Sequence, residues 1–185
     1  MTFIFECRQA FKMTRGLLTA LCFIFLLTFV VFPGLAIACP LSFLTDRPGS
    51  LAWLNLVILT AFNVFDTLGR YLAGVTSLSR VKTIVLSYLR SVQMALFLLS
   101  AFEVGFFATD GFKLVNFSIF AFSNGYLSSL CSIKAPDVVK TGEQRGSVGA
   151  FIGVTKLLGI LVGSTLAIPL KEIIKLTPAY QTAST

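Results

Sequence analysis

The sequence predicts an all-α integral membrane protein of about five transmembrane helices. Hydrophobic residues make up 56% of the chain and charged residues only 12%, about half the charged share of an ordinary soluble domain. A mean hydropathy of +0.87 is more than a chain of this length could hide in one core. The apolar residues also fall in blocks long enough to cross a bilayer, which takes about 20 residues per helix.

The first block runs over 16–38 and carries no charge. The second, 51–75, carries Asp66 and Arg70; the third, 83–102, carries Arg90. The fourth, 114–131, is uncharged, and the fifth, 147–170, carries Lys156. Short punctuated loops at 40–49, 77–82, 103–113 and 133–146 separate them, with no polar stretch long enough for a soluble domain. Residues 1–15 then form an N-terminal segment, 16–170 the membrane domain and 171–185 a C-terminal tail.

Arg8, Lys12 and Arg15 followed by the first block and Ala36-Ile37-Ala38 have the outline of a signal peptide. The block exceeds the about 7–15 residues of a signal core, so a retained helix is expected. Lys and Arg in the short flanks set the orientation. With the N-terminus in the cytoplasm, Arg8, Lys12, Arg15, Arg80, Lys82, Lys134, Lys140 and Arg145 lie inside. Only Arg47, Lys113, Lys171 and Lys175 lie outside, which makes the tail extracellular. The net charge of +7 is therefore a topology signal. No basic face interleaved with aromatics lies outside the spans, so nucleic acid is not an expected partner; the lipid bilayer is.

Several chemistries are excluded by what the chain lacks. Cys7, Cys22, Cys39 and Cys131 form no CxxC pair and there is no histidine. A zinc site, which needs closely spaced Cys and His ligands, is disfavoured, and His-based acid–base catalysis is excluded. A Walker A loop is also absent from the sequence, so the chain cannot drive a pump with ATP by itself. We expect no enzyme, no metal and no cofactor. The 19 phenylalanines are read as packing and lipid-facing residues.

The polar groups inside the spans are the informative ones. An ionisable residue at mid-membrane costs about 2.5–3.5 kcal/mol on insertion scales, so it faces a cavity or a partner. In Phe62-Asn63-Val64-Phe65-Asp66-Thr67-Leu68-Gly69-Arg70, Asp66 and Arg70 are four apart and within ion-pairing reach on one helical face. Asn63 shares that face and Leu59 extends it, so one side of the helix is polar and is expected to look into the bundle. Spacing leaves two readings open: a structural pair that holds helices together, or the lining of a hydrophilic path. Arg90 could join this network, bind carbonyls of a neighbouring helix or snorkel to the cytoplasmic side. Lys156 lies mid-span with no partner evident from sequence. Around it, Gly149, Gly153, Gly159 and Gly163 give two small-xxx-small spacings, whose default meaning is close helix packing.

Four stretches carry a family resemblance. Phe62 to Arg70 resembles the signature FNxFDxxGR of the eighth helix of equilibrative nucleoside transporters. Ala121-Phe122-Ser123-Asn124-Gly125-Tyr126-Leu127-Ser128-Ser129-Leu130-Cys131 resembles the family's tenth helix. Val31-Phe32-Pro33-Gly34 is similar to the Phe-Pro element of the seventh, and Gly159-Ile160-Leu161-Val162-Gly163 to the glycine pair of the eleventh. The four lie in the family's order over nearly the whole chain.

The resemblance implies the C-terminal half of a major-facilitator-like transporter fold, with substrate held between two halves and exposed alternately to each side. It implies facilitated diffusion of nucleosides, or of nucleobases, in the plasma membrane. By that likeness Asp66 and Arg70 organise the site, Asn63 and Leu59 line it, and Ile160 is an apolar wall. Phe32 and Pro33 belong to the outer gate, while Arg90, Asn124 and Lys156 have gating or structural roles. Two departures stand out. The family's six N-terminal helices have no counterpart here, and Lys156 occupies a position that is usually apolar. Leu59, where an aromatic is often found, is a milder change. The alternative expectation is a truncated, non-transporting membrane protein that associates with or regulates a full-length relative. Two copies facing each other across Asp66 and Arg70 would be the testable form of that idea, and a half-transporter that functions as a homodimer is a third expectation.

Overall fold

The computed structural model describes residues 2–32, 36, 41–45 and 49–175. Among them the chain is helical, with short connections and no strand. The five long helices are α1 (Thr2–Val30), α3 (Ser50–Val75), α4 (Arg80–Ala101), α5 (Asp110–Asp137) and α6 (Gly142–Lys175), and α2 (Ser42–Thr45) is a single turn. They fall where the five apolar blocks predict them, but three run well past those blocks. Helix α1 starts at Thr2 rather than near 16 because its polar-flanked first turns still bury a stripe. Ala10 and Thr14 are fully buried, and Ala10 shares a cluster with Val148 of α6, Ala135 near the end of α5 and Val139 just beyond it. Apolar run length marks what can cross a membrane, whereas helix length follows where a buried stripe continues.

Local signals account for the ends. Helix α1 widens into a π turn at Val31 and Phe32, immediately before a proline, which has no N–H to continue the ladder. Pro33 itself, Gly34, the stretch 37–40 and residues 46–48 of the expected first loop lie outside the described residues. Within that loop, α2 is fastened to α5 by Asp110. Its carboxylate accepts from the Ser42 amide at 2.9 Å, the Ser42 hydroxyl at 3.2 Å and the Phe43 amide at 3.3 Å. Ser79 caps α4 by accepting from the Lys82 amide. A reciprocal box opens α6: the Gln144 amide donates to Thr141 Oγ1 at 3.3 Å, and Gln144 Oε1 accepts from the Lys140 amide at 3.1 Å.

Four of the long helices have the length and apolarity to span a membrane: α1, α3, α4 and α6. Helix α5 is the polar one, because Asn116, Ser118, Ser123, Asn124 and Ser128 interrupt its apolar sequence. It is also the innermost one, touching α1, α3, α4 and α6, so those side chains meet protein rather than lipid. Helix α3 packs along α5, and α6 along α1. Both contacts rest on glycine. A Cβ at Gly125 of α5 would collide with the Asp66 carbonyl, and one at Gly69 of α3 with the Phe122 carbonyl. Gly159 and Gly163 of α6 sit in the same way on the Cys22 and Leu26 carbonyls of α1. The upstream pair, Gly149 and Gly153, meets nothing within 4 Å. Only one of the two small-xxx-small spacings is therefore a packing seam in this bundle.

Two apolar clusters fill the interior. One joins Val31, Leu54, Ile58, Phe97, Phe117 and Phe120. The other joins Leu17, Leu21, Ile24, Leu127, Cys131 and Val148. Along α1 and α5 the stretch between them is polar, and the candidate site lies there.

The glycine seams give a contrast that unfolding in detergent can measure. Gly125→Ala forces the α3 and α5 backbones apart and should lower stability by about 1–3 kcal/mol or abolish folding. Gly149→Ala has open space and should be neutral or stabilising by up to about 1 kcal/mol through helix propensity.

Candidate functional site

Leu59, Asn63, Asp66 and Arg70 share one side of α3 as their spacing predicts, but that side straddles the edge of the bundle. Helix α3 meets α5 through Leu54, Ile58, Asp66, Gly69 and Ala73, all buried. Asp66 is consequently 8% exposed, while its neighbours stand at the rim. Leu59 is 49% exposed and the Arg70 side chain 48%. Asn63 is exposed and donates back to the Leu59 carbonyl at 2.9 Å. The expectation that the whole polar side looks inward holds for Asp66 alone, because the α5 contact covers only the strip on which Asp66 is the edge residue.

Asp66 is held from two directions. Arg70 Nε donates to Oδ2 at 2.6 Å from one turn further along α3. Asn124 Nδ2 donates to Oδ1 at 2.7 Å from α5. The glycine at 125 is what lets α5 come this close, so the pairing of helices and the clamp on the carboxylate have one cause. Asn124 Oδ1 then lies 2.7 Å from the Thr28 hydroxyl of α1, which is equally close to the Ile24 carbonyl. That hydroxyl has one proton and donates to one of the two at a time.

Arg90 completes the network from α4. It is 3% exposed and uses every N–H of its guanidinium. Nε donates to Ser123 Oγ at 3.0 Å, Nη1 to the Ile24 carbonyl at 3.1 Å and to Thr28 Oγ1 at 3.3 Å. Nη2 donates to Thr28 Oγ1 and to the Phe120 carbonyl, both at 3.2 Å. The guanidinium also lies over the Phe120 ring, 4.5 Å from its centre. Of the sequence expectations for Arg90, membership of the network and binding to carbonyls both hold, and snorkelling does not. Its connection to Asp66 runs through Thr28 and Asn124, helped by the attraction between the two charges.

The remaining candidates surround this layer. Phe32 stacks on Phe62 at 4.7 Å, with Phe117 at 6.2 Å, in the aromatic cluster at one end of the site. Pro33 lies outside the described residues. Ile160 is half-buried on α6. Lys156, also half-buried, places its ammonium 5.9 Å from the Phe25 ring centre. Sequence reasoning followed ionisable residues and so passed over Thr28, Ser123 and Gln93, which carry the network between helices. The usable signal for Thr28 was a hydroxyl inside an otherwise apolar run.

Chemically, the site is a polar patch with a buried acidic floor and a half-exposed guanidinium, bordered by aliphatic and aromatic side chains. Such a surface can offer fixed donors to hydroxyl or carbonyl groups of a small solute and apolar walls to a planar ring. Among the described residues no group of side chains could hold a metal ion.

Comparison with known proteins gives the same direction. The profile of the family described as "Nucleoside transporter" matches residues 2–171. Human equilibrative nucleoside transporter 1 is 28% identical over 168 residues, covering 84% of this chain and 36% of the human protein. The rat equilibrative nucleoside transporter 1 is 30% identical over 173 residues, with the same coverage of 84% and 36%. Nucleoside transporter 1.2 of Leishmania donovani is 27% identical over 165 residues, covering 85% of this chain and 32% of that protein. The chain thus spans about a third of the length of the curated relatives it matches.

The buried network should dominate stability. Arg90→Ala strands acceptors on two helices and should lower stability by about 3–5 kcal/mol. Arg90→Lys should recover only part of this, since an ammonium has three donors and no planar fork. Thermal unfolding in detergent, read by the loss of the monodisperse peak, distinguishes the two.

Proposed function

The chain belongs to the nucleoside transporter family, and from that premise we propose that it provides the C-terminal helical half of an equilibrative carrier for nucleosides. The carrying observation is the Asp66 clamp: a buried carboxylate fixed by Asn124 that holds Arg70 at the rim, half exposed. A guanidinium in that position within a bilayer is stable against water or protein and not against lipid. The open side of α3 therefore faces a hydrated cavity closed by further membrane helices.

In this reading all five long helices cross the membrane, with the N-terminus in the cytoplasm and the carrier in the plasma membrane. Helix α5 can cross despite its polarity because the other four shield it. Arg70 offers its outer N–H groups to ribose hydroxyls or base carbonyls. Asp66 fixes the direction of that fork and lends the site an acceptor. Asn63 and Leu59 line the cavity beside it, and Ile160 forms an apolar wall against a planar base. Phe32 and Pro33 stand at the outer gate, where the Phe32–Phe62 stack can open and close without breaking the polar layer. The nucleoside is exposed to each side in turn as the two halves rock about this fixed site.

Uptake of radiolabelled uridine and adenosine tests the reading, in transporter-deficient cells that co-express this chain with the N-terminal helices of a family member, both confirmed at the surface. Saturable uptake is expected, falling by at least about tenfold in Asp66→Ala, in line with loss of a charge-assisted hydrogen-bond pair. Background uptake despite surface expression would overturn it.

A further inference from the structure

Helices α1 and α4 are both long and apolar enough to span a membrane, and the contacts between them set their apolar stretches at one level. Arg80, the first residue of α4, donates from Nη2 to the Met13 carbonyl of α1 at 2.6 Å. A Cβ at Gly16 would lie 3.2 Å from Ile84 Cδ1 and 3.9 Å from Arg80 Nη2. About one turn deeper, the Tyr88 hydroxyl meets Thr19 Oγ1 at 3.2 Å.

Arg8, Lys12 and Arg15 are spaced four and three apart, which sets them on one face of α1. All three are exposed. The buried stripe of this segment, marked by Ala10 and Thr14, lies on the other side. Because Arg80 binds the carbonyl of residue 13, it joins α1 within one turn of Lys12 and Arg15. Four cations are thus gathered where two helices enter the apolar zone. Among the described residues none of the four forms an ion pair. Glu6 is the one carboxylate in residues 1–15, and it accepts from Gln144 of α6 instead.

Such a patch is compensated either by mobile ions from water or by anions held in the membrane plane. Its depth favours the second. The apolar block of α1 opens directly after Arg15, so Arg15 and Arg80 lie at the edge of the hydrocarbon, where lipid phosphates are found. Lys12 and Arg8 stand above Arg15 by about 4.5 and about 10.5 Å, from the rise per residue of a helix. Long alkyl stems let their charged heads bend toward the phosphate plane. Clustered Lys and Arg directly outside a span attract anionic headgroups over about a Debye length.

We propose that Arg8, Lys12, Arg15 and Arg80 form a docking surface for anionic phospholipid headgroups, which anchors the α1–α4 corner of the bundle at the bilayer surface. In the orientation proposed for the carrier, that surface is the cytoplasmic leaflet. The inference needs these two helices to span and is independent of the solute carried.

Reconstitution of the chain in phosphatidylcholine bilayers holding spin-labelled phosphatidylserine or spin-labelled phosphatidylcholine tests this. The motionally restricted fraction of each label reports which lipid the protein surface retains. The serine lipid should be preferred at least about threefold at low salt, and the preference should fall as ionic strength rises. Neutralising the face with Arg8→Gln, Lys12→Gln and Arg15→Gln together should bring the preference toward one. Lys134→Gln, Lys140→Gln and Arg145→Gln together remove equal charge elsewhere and should leave most of it. Should the first variant fail to fold, its three single substitutions should each remove part of the preference. Inorganic phosphate at matched ionic strength should not displace the serine lipid; displacement would overturn the lipid assignment in favour of a soluble anion. Equal retention of the two lipids, or an equal loss in the control variant, would overturn the docking surface itself.

Discussion

The requirement that a fully buried guanidinium be satisfied without a carboxylate beside it organises this bundle. Arg90 enters from α4 and finds its acceptors on α1 and α5: the Ile24 and Phe120 carbonyls and the Thr28 and Ser123 hydroxyls. Those acceptors exist only while the three helices keep their mutual depth. A shift of one turn would strand several N–H groups in an apolar interior, where each unmade bond costs about 1–3 kcal/mol. The same layer reaches α3 through Asn124 and Asp66. One hydrogen-bonded sheet of side chains thus fixes the axial register of four helices, a task that apolar packing alone performs poorly between helices in lipid.

Glycine makes the layer possible. Asp66 and Asn124 meet because nothing larger than hydrogen separates the α5 backbone at Gly125 from the α3 backbone at Asp66. On the other flank, α6 follows α1 through Gly159 and Gly163. The apolar clusters on either side of the polar layer then seal it, one rich in phenylalanine and the other in leucine and small residues. Close approach, polar satisfaction and sealing depend on one another, so a change in any of them is felt in the others.

The site inherits its character from its position at the edge of this arrangement. Inward, Asp66 is immobilised; outward, Arg70, Asn63 and Leu59 are presented on a face that the five helices do not cover. A floor that is rigid and a rim that is accessible is the combination a carrier site uses, since bound solute meets pre-oriented donors while the opposite wall remains able to move.

Much of this was legible in the sequence. Apolar run length is a sum over neighbouring residues, and it placed all five long helices. The four-residue spacing of Asp66 and Arg70 dictated their ion pair, because both lie on one helix whose geometry is fixed locally. Four stretches in order, among them Phe62 to Arg70 and Ala121 to Cys131, carried the family resemblance. Helix ends were less legible: the polar turns before residue 16 and after 131 continue as helix because they pack on each other. Tertiary structure alone decided which residues meet across helices. That Arg90 is satisfied by carbonyls, that Thr28 and Ser123 carry the network, and that Gly159 and Gly163 pack while Gly149 and Gly153 do not are all outcomes of rotation and depth. Periodicity fixes which residues share a face. Where that face points, and why only Asp66 of its stripe is buried, depends on the neighbouring helix and on the distance at which a glycine lets it stand.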